Sequence, residues 1–181
     1  MINSKKVYTG KFLDMFVDTM VDENGKEIKW ERCSRKNKTN AVAIVPYHVK
    51  RNKFVLIDEY RIPIQGREIG FPAGLLDKEN ESFAQALARE LKEETGLDLV
   101  SVIRVSPMGF NSAGMTDEAI SFAYVLVDGD LSDKFLENTE DIHAFFASKY
   151  EIKHMLYDKN VKWGAKAWVI CDMLVNGSPF A

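Results

Sequence analysis

The chain has 181 residues, 46% of them hydrophobic and 28% charged, which fits one globular domain of ordinary size with a sizeable core. Its formal charge is −3, so no basic stripe is available for nucleic acid. Two distant cysteines, Cys33 and Cys171, a polar start from Met1 to Lys6 and no apolar run of membrane-spanning length lead us to expect a cytoplasmic protein with reduced thiols and no membrane partner.

Val7 to Val17 mixes apolar and polar residues and is expected as a strand with an irregularity near Gly10. Asn24-Gly25 is a strong hairpin signal, and Glu27 to Arg32 returns as a second strand carrying Trp30. Arg35 to Thr39 is a polar connection that separates this hairpin from the main body. Ala41 to Val49 and Phe54 to Tyr60 read as a second hairpin, and Glu68 to Phe71 as a short strand. A loop over Leu75 to Glu81 leads to Ser82, whose partner Gln85 completes a capping box. The helix runs from Phe83 to Thr95, with Phe83, Leu87 and Leu91 inward and Gly96 as its stop. Strands are expected at Leu99 to Val105, Ile120 to Val127 and Ile142 to Ala147, and closing helices at Tyr150 to Tyr157 and Trp163 to Val175. The order predicts an α+β fold with a mixed sheet between helices.

The chemistry concentrates in Arg89-Glu90-Leu91-Lys92-Glu93-Glu94-Thr95-Gly96-Leu97. Spacings of three and four put Glu90, Glu93 and Glu94 on one helix face, in the turn where the dipole is negative. Each such carboxylate costs about 0.3–1 kcal/mol, and a divalent cation is the simplest compensation. The plain alternative is a solvated acidic face. Arg89, four residues before Glu93, can steer a carboxylate and lower the cluster's charge.

The unit from Gly74 to Leu97 resembles the signature of the Nudix hydrolases, which is Gly, five residues, Glu, seven residues, then Arg-Glu-aliphatic-X-Glu-Glu-X-Gly-aliphatic. Arg89 to Leu97 matches every fixed position, and Glu81 stands at the required distance before Arg89. Six residues rather than five separate Gly74 from Glu81, and Asn80 is suited to the left-handed conformation that the loop then needs. The resemblance implies a Nudix fold, a mixed β-sheet sandwiched between helices over residues 40–181, with an N-terminal β-hairpin extension over 1–39. It also implies Mg²⁺ as cofactor, with Mn²⁺ as the alternative. Its ligands would be the carbonyl of Ala73 and the side chains of Glu90 and Glu94, with Glu93 assisting.

Outside the signature, Val55 to Arg61 and Glu68 to Asp77 look like the ADP-ribose pyrophosphatase branch. There the arginine of a Tyr/Phe-Arg pair touches the diphosphate, and Arg61 matches it. Lys29-Trp30-Glu31-Arg32 resembles a segment that stacks tryptophan on adenine across a homodimer with exchanged N-terminal strands; the alternative is that Trp30 packs on the sheet. In Asn111 to Glu118, Gly114 and Glu118 match substrate contacts, while Ala113 stands where the branch carries proline. The general base comes from an acidic loop in this branch, so Glu137 and Glu140 are both candidates, with Glu93 as fallback. The implied activity is metal-dependent hydrolysis of a nucleoside diphosphosugar, ADP-ribose first, to AMP and ribose 5-phosphate. UDP- or GDP-sugars are the alternative substrates, and a non-catalytic nucleotide sensor is the distant one. His48, His143 and His154 fit no catalytic pattern.

Overall fold

The structure is a computed structural model describing residues 2–36, 38–137 and 140–177. Its N-terminal part is a three-stranded antiparallel sheet of β1 (Asn3–Thr9), β2 (Leu13–Val21) and β3 (Glu27–Arg35), in that order. This corrects the expectation of one irregular strand over Val7 to Val17 and of a simple hairpin. At Gly10 the chain reverses, with the Gly10 N–H donating to the Leu13 carbonyl at 2.8 Å, and β1 folds back along β2. The turn between β2 and β3 has Gly25 at φ 79°, as Asn-Gly predicts.

The main body holds β4 (Ala41–His48), β5 (Lys53–Arg61), β6 (Gly66–Gly70), β7 (Ala73–Leu75), β8 (Asp98–Val105), β9 (Gly109–Phe110), β10 (Ala119–Asp128) and β11 (Ile142–Ala147). They form one mixed sheet with the spine β11-β5-β4-β10-β8; β6 pairs with β5, β7 with β4 and β9 with β10. The β4 to β10 pairing is parallel and the others are antiparallel. β4 and β5 form a hairpin only at its base, Tyr47 to Phe54 and His48 to Lys53. Beyond that they part, and β7 takes the place beside β4. This separation carries Ala73 and Gly74 to the signature helix.

Helix α1 (Phe83–Thr95) covers one face of the sheet, and α2 (Lys149–Tyr157) and α3 (Ala165–Asn176) cover the other. Alternation along the strands divides the core accordingly. Val42, Ile44, Val55, Ala123 and Val125 pack on Leu87 and Leu91 of α1, while Val45, Phe54 and Leu56 pack on Ile152, Leu156 and Cys171. Leu87 and Leu91 are fully buried, and each such side chain contributes about 1.5–3 kcal/mol. α1 begins and ends as its sequence dictates. Ser82 and Gln85 exchange both capping-box hydrogen bonds, and Gly96 closes the helix at φ 77°. α3 starts at Ala165 rather than Trp163, because Trp163 is drawn into a bridge with Ile69.

Candidate active site

β7 passes directly over α1. A Cβ on Gly74 would stand 1.9 Å from the Glu90 carboxyl carbon, so only glycine permits this approach. The loop that follows absorbs its extra residue with Asn80 at φ 63°, in the left-handed region. Glu81 then meets Arg89 in a two-pronged pair, receiving Nε at 2.8 Å and Nη2 at 3.0 Å. The same guanidinium donates through Nη1 to Glu90 at 2.7 Å and to Glu93 at 3.0 Å. Hydrogen bonding to Arg89 holds Glu81 below the ordinary carboxylate range, and the three acids raise the Arg89 pKa further. Arg89 is thus the clamp that lets the loop and the acidic helix face coexist.

Glu94 lies one turn beyond Glu90 and has a different environment. It is 6% exposed, and the Ala73 N–H donates to it at 3.1 Å. Burial pushes its pKa well above the usual value; that hydrogen bond opposes the rise, and the charges of Glu140, Glu59 and Glu90 add to it. Burial also raises Glu90, against the pull of Arg89, and raises Glu59. Carboxylates from β5, α1 and the loop before β11 therefore crowd one another around Glu94. Among the described residues, no three acids stand as a finished metal cage, and Arg89 engages Glu90 and Glu93. The donor set is all oxygen and under-compensated, which suits a hard divalent cation.

Arg61 ends β5 beside this cluster. Its Nη1 stands 2.7 Å from Glu59 and its Nε 3.3 Å from Glu68, and the side chain remains half exposed. Glu59 and Glu68 face each other across β5 and β6, where like charges repel unless a cation joins them. Arg61, Glu68, Phe122 and Lys166 line a cleft of about 170 Å³, with Ala43, the strand partner of Ala73, in its wall. Glu59 escaped the sequence reading. Its only signal was an acid two residues before the matched arginine, on a strand where outward polar residues are ordinary.

The two loop candidates separate. Glu140 acts on Glu59, Glu90 and Glu94, whereas Glu137 is exposed and donates its backbone N–H to the Glu140 carboxylate at 3.0 Å. Asp141 anchors the loop, accepting from the Tyr60 N–H at 3.0 Å and from Arg67 at 2.8 Å. Asn138 and Thr139 lie outside the described residues.

Trp30 is 56% exposed and its indole N–H donates to the Gly114 carbonyl at 2.8 Å. β3 is joined to this turn at several points: Cys33 N–H to the Met115 carbonyl at 2.9 Å, Arg32 to Asp117 at 3.1 Å, and Arg35 to Glu118. Burial draws Glu118 upward, but hydrogen bonds from Arg35 and Asn111 outweigh it and leave the carboxyl low. Trp30, Arg32 and Ala113 line a cavity of about 310 Å³, which shares no wall residue with the Arg61 cleft. Within one chain, Trp30 and Arg61 are therefore not brought to a common cavity. His48 is buried at the β4 to β5 turn, accepting the Arg51 N–H and lying 3.1 Å from the Gly129 carbonyl, in a structural role.

Residues 37–167 match the NUDIX domain family. A Caenorhabditis elegans protein named as a nudix hydrolase is 30% identical over 82% of this chain and 72% of its own length. An ADP-ribose pyrophosphatase of Saccharomyces cerevisiae is 34% identical over 68% of this chain and 58% of that protein, and one of Bacillus subtilis is 28% identical over 66% and 61%. The chain thus spans about three-fifths of those two relatives. A solved structure, an ADP compounds hydrolase, superposes with TM-score 0.79 over 97% of this chain and 92% of its own, at 21% identity, and shows the same fold. Nudix hydrolases generally use divalent metal ions. With a domain match over most of its length and a relative of this identity and coverage, the chain belongs to the Nudix hydrolase family.

Proposed function

We propose that the protein hydrolyses the diphosphate of a nucleoside diphosphosugar, with ADP-ribose as substrate and AMP and ribose 5-phosphate as products. The observation that carries this reading is the half-exposed Arg61 guanidinium beside the under-compensated acids around Glu94, joined to them through Glu59. A guanidinium there suits a diphosphate oxygen pair. A cation held by Glu90, Glu94 and the Ala73 carbonyl, with Glu93 assisting, would supply Lewis acidity and a readily ionised water; Mg²⁺ is our choice, with Mn²⁺ as substitute. Arg89 keeps Glu90 and Glu93 in place while the site is empty of substrate. Glu140 is the proposed base, supported by its proximity to Glu94 and by the Glu137 backbone N–H that orients it. Water oxygen bonds to one phosphorus, the bridging P–O bond breaks toward the other phosphate, and the water proton passes to Glu140.

The working unit is proposed to be a cytoplasmic homodimer that exchanges residues 1–39. Exposed Tyr8, Phe12, Leu13 and Met20 on the N-terminal sheet support a covering partner. A partner's sheet would also supply the adenine-stacking Trp30 that one chain does not bring to Arg61. Ala113, in the wall beside Trp30, favours UDP- or GDP-sugars as the second reading. A panel of ADP-ribose, UDP-glucose, GDP-mannose and NADH with Mg²⁺, resolved by chromatography, tests the assignment. Release of AMP from ADP-ribose at the highest kcat/KM is expected; preference for another sugar nucleotide moves the assignment to it, and no turnover of any member rejects the reading.

A further inference from the structure

Next to the Arg61 cleft the surface opens into a larger groove of about 640 Å³, between β10, the end of β8 and α3. Phe122, Ala165 and Lys166 belong to both walls, so the two spaces adjoin. The groove's floor is apolar and aromatic, with Tyr124, Val169 and Ile170. Its charged lining is Arg104 and Lys166 alone, with no carboxylate, in a chain whose acids outnumber its bases by 27 to 24. Neither cation has an ion pair among the described residues; Arg104 lies 4.6 Å over the Tyr124 ring. Lys166 also occupies the first turn of α3, where the helix dipole disfavours a cation, so helix stability does not explain it.

A volume of this size falls within the range of small-molecule sites, about 300–1,000 Å³, and exceeds what a lone phosphate needs. Two cations without a carboxylate partner beside an apolar floor match a sugar packed against Phe122 and Val169 with its own phosphate turned to the rim. We propose that the groove holds the distal half of the substrate, and that this half is itself phosphorylated: a nucleoside diphosphosugar bearing a further phosphate on its sugar. The inference rests on the diphosphatase reading, which sets the diphosphate at Arg61 and so points the sugar toward Lys166.

The test compares kcat/KM for ADP-ribose and for ADP-ribose carrying a phosphate ester on its terminal ribose, in the wild type, Lys166→Ala and Arg104→Ala. Both side chains are exposed, so the variants are expected to fold. The wild type should prefer the phosphorylated compound about tenfold, the size of one charge-assisted contact, and each substitution should reduce that ratio. No preference, or a preference that survives both substitutions, overturns the proposal. Calorimetry with ribose 1,5-bisphosphate and ribose 5-phosphate reads the groove without turnover: tighter binding of the bisphosphate, lost in the variants, supports it, and equal binding rejects it. If neither nucleotide is hydrolysed, the diphosphatase reading fails separately and the groove is judged on the calorimetry.

Discussion

Glu81 and Glu94 belong to the same loop and helix, yet their surroundings drive them in opposite directions. Glu81 receives two N–H groups from Arg89 and is pulled below the ordinary carboxylate range. Glu94 is buried with one backbone N–H from Ala73 and three acidic neighbours, and is pushed well above it. The first environment is met by protein groups; in the second, burial and neighbouring acids disfavour the charged form. The contrast distinguishes an acid whose charge is met by the protein from one proposed to meet a metal ion.

The comparison breaks most visibly at Glu94. Glu94→Gln keeps the shape and removes the charge, so turnover of the preferred substrate should fall about 10³-fold, as when a preorganised electrostatic group is lost. The same substitution relieves an uncompensated buried acid. In the metal-free protein at neutral pH it should raise stability by about 1 kcal/mol, or about 2–4 °C in Tm for a chain of this size. A loss of Tm with unchanged turnover would instead make Glu94 a structural residue.

Glu140→Gln should cost about 10²-fold in kcat, the lower range for a general base, while Glu137→Gln, which keeps the backbone N–H, should cost several times less. Equal losses from the two would undo their separation. On the structural side, Arg89→Ala leaves three carboxylates without their cation and should destabilise by about 2 kcal/mol in urea denaturation, discounted from a fully buried pair because the guanidinium retains some solvent contact. Activity would fall with it, as Glu90 is no longer held.

The smallest effect is a pH dependence. Glu94, Glu90 and Glu59 bind protons more tightly folded than unfolded, so their contribution is fully present below the ordinary value of 4.5 and is lost as pH rises through their raised folded values. On the proposed ligand set, a divalent cation would hold Glu90 and Glu94 ionised and reduce that loss. The Tm gap between Mg²⁺-loaded and chelator-treated protein should therefore widen as pH rises above about 4.5. A gap independent of pH would separate the cation from these acids.

Much of the working helix was legible in the sequence. Its capping box, its glycine stop and the spacing of Glu81, Arg89, Glu90 and Glu94 are local features, and the structure follows them residue by residue. Less legible were arrangements made by distant segments. The turn at Gly10 carries no Asn-Gly signal, so a strand reversal passed for an irregularity. The parting of β4 and β5 beyond their base depends on β7 arriving between α1 and the sheet, which no strand pattern encodes. Glu59 and Lys166 acquire meaning only from Arg61 and the groove beside them. The different surroundings of Glu137 and Glu140 likewise come from distant segments, since Glu140 is felt by Glu59 on β5 and by Glu90 and Glu94 on α1.

The extra residue before Glu81 shows how this junction is built. Asn80 takes up the slack in one backbone conformation, and downstream of it the Ser82 cap and the Arg89 fork restore the alignment independently. The crest of the loop is thus separated from α1 by two anchors that do not depend on its length. A graft of a short peptide at the crest should therefore leave the geometry of Glu90 and Glu94 as it is.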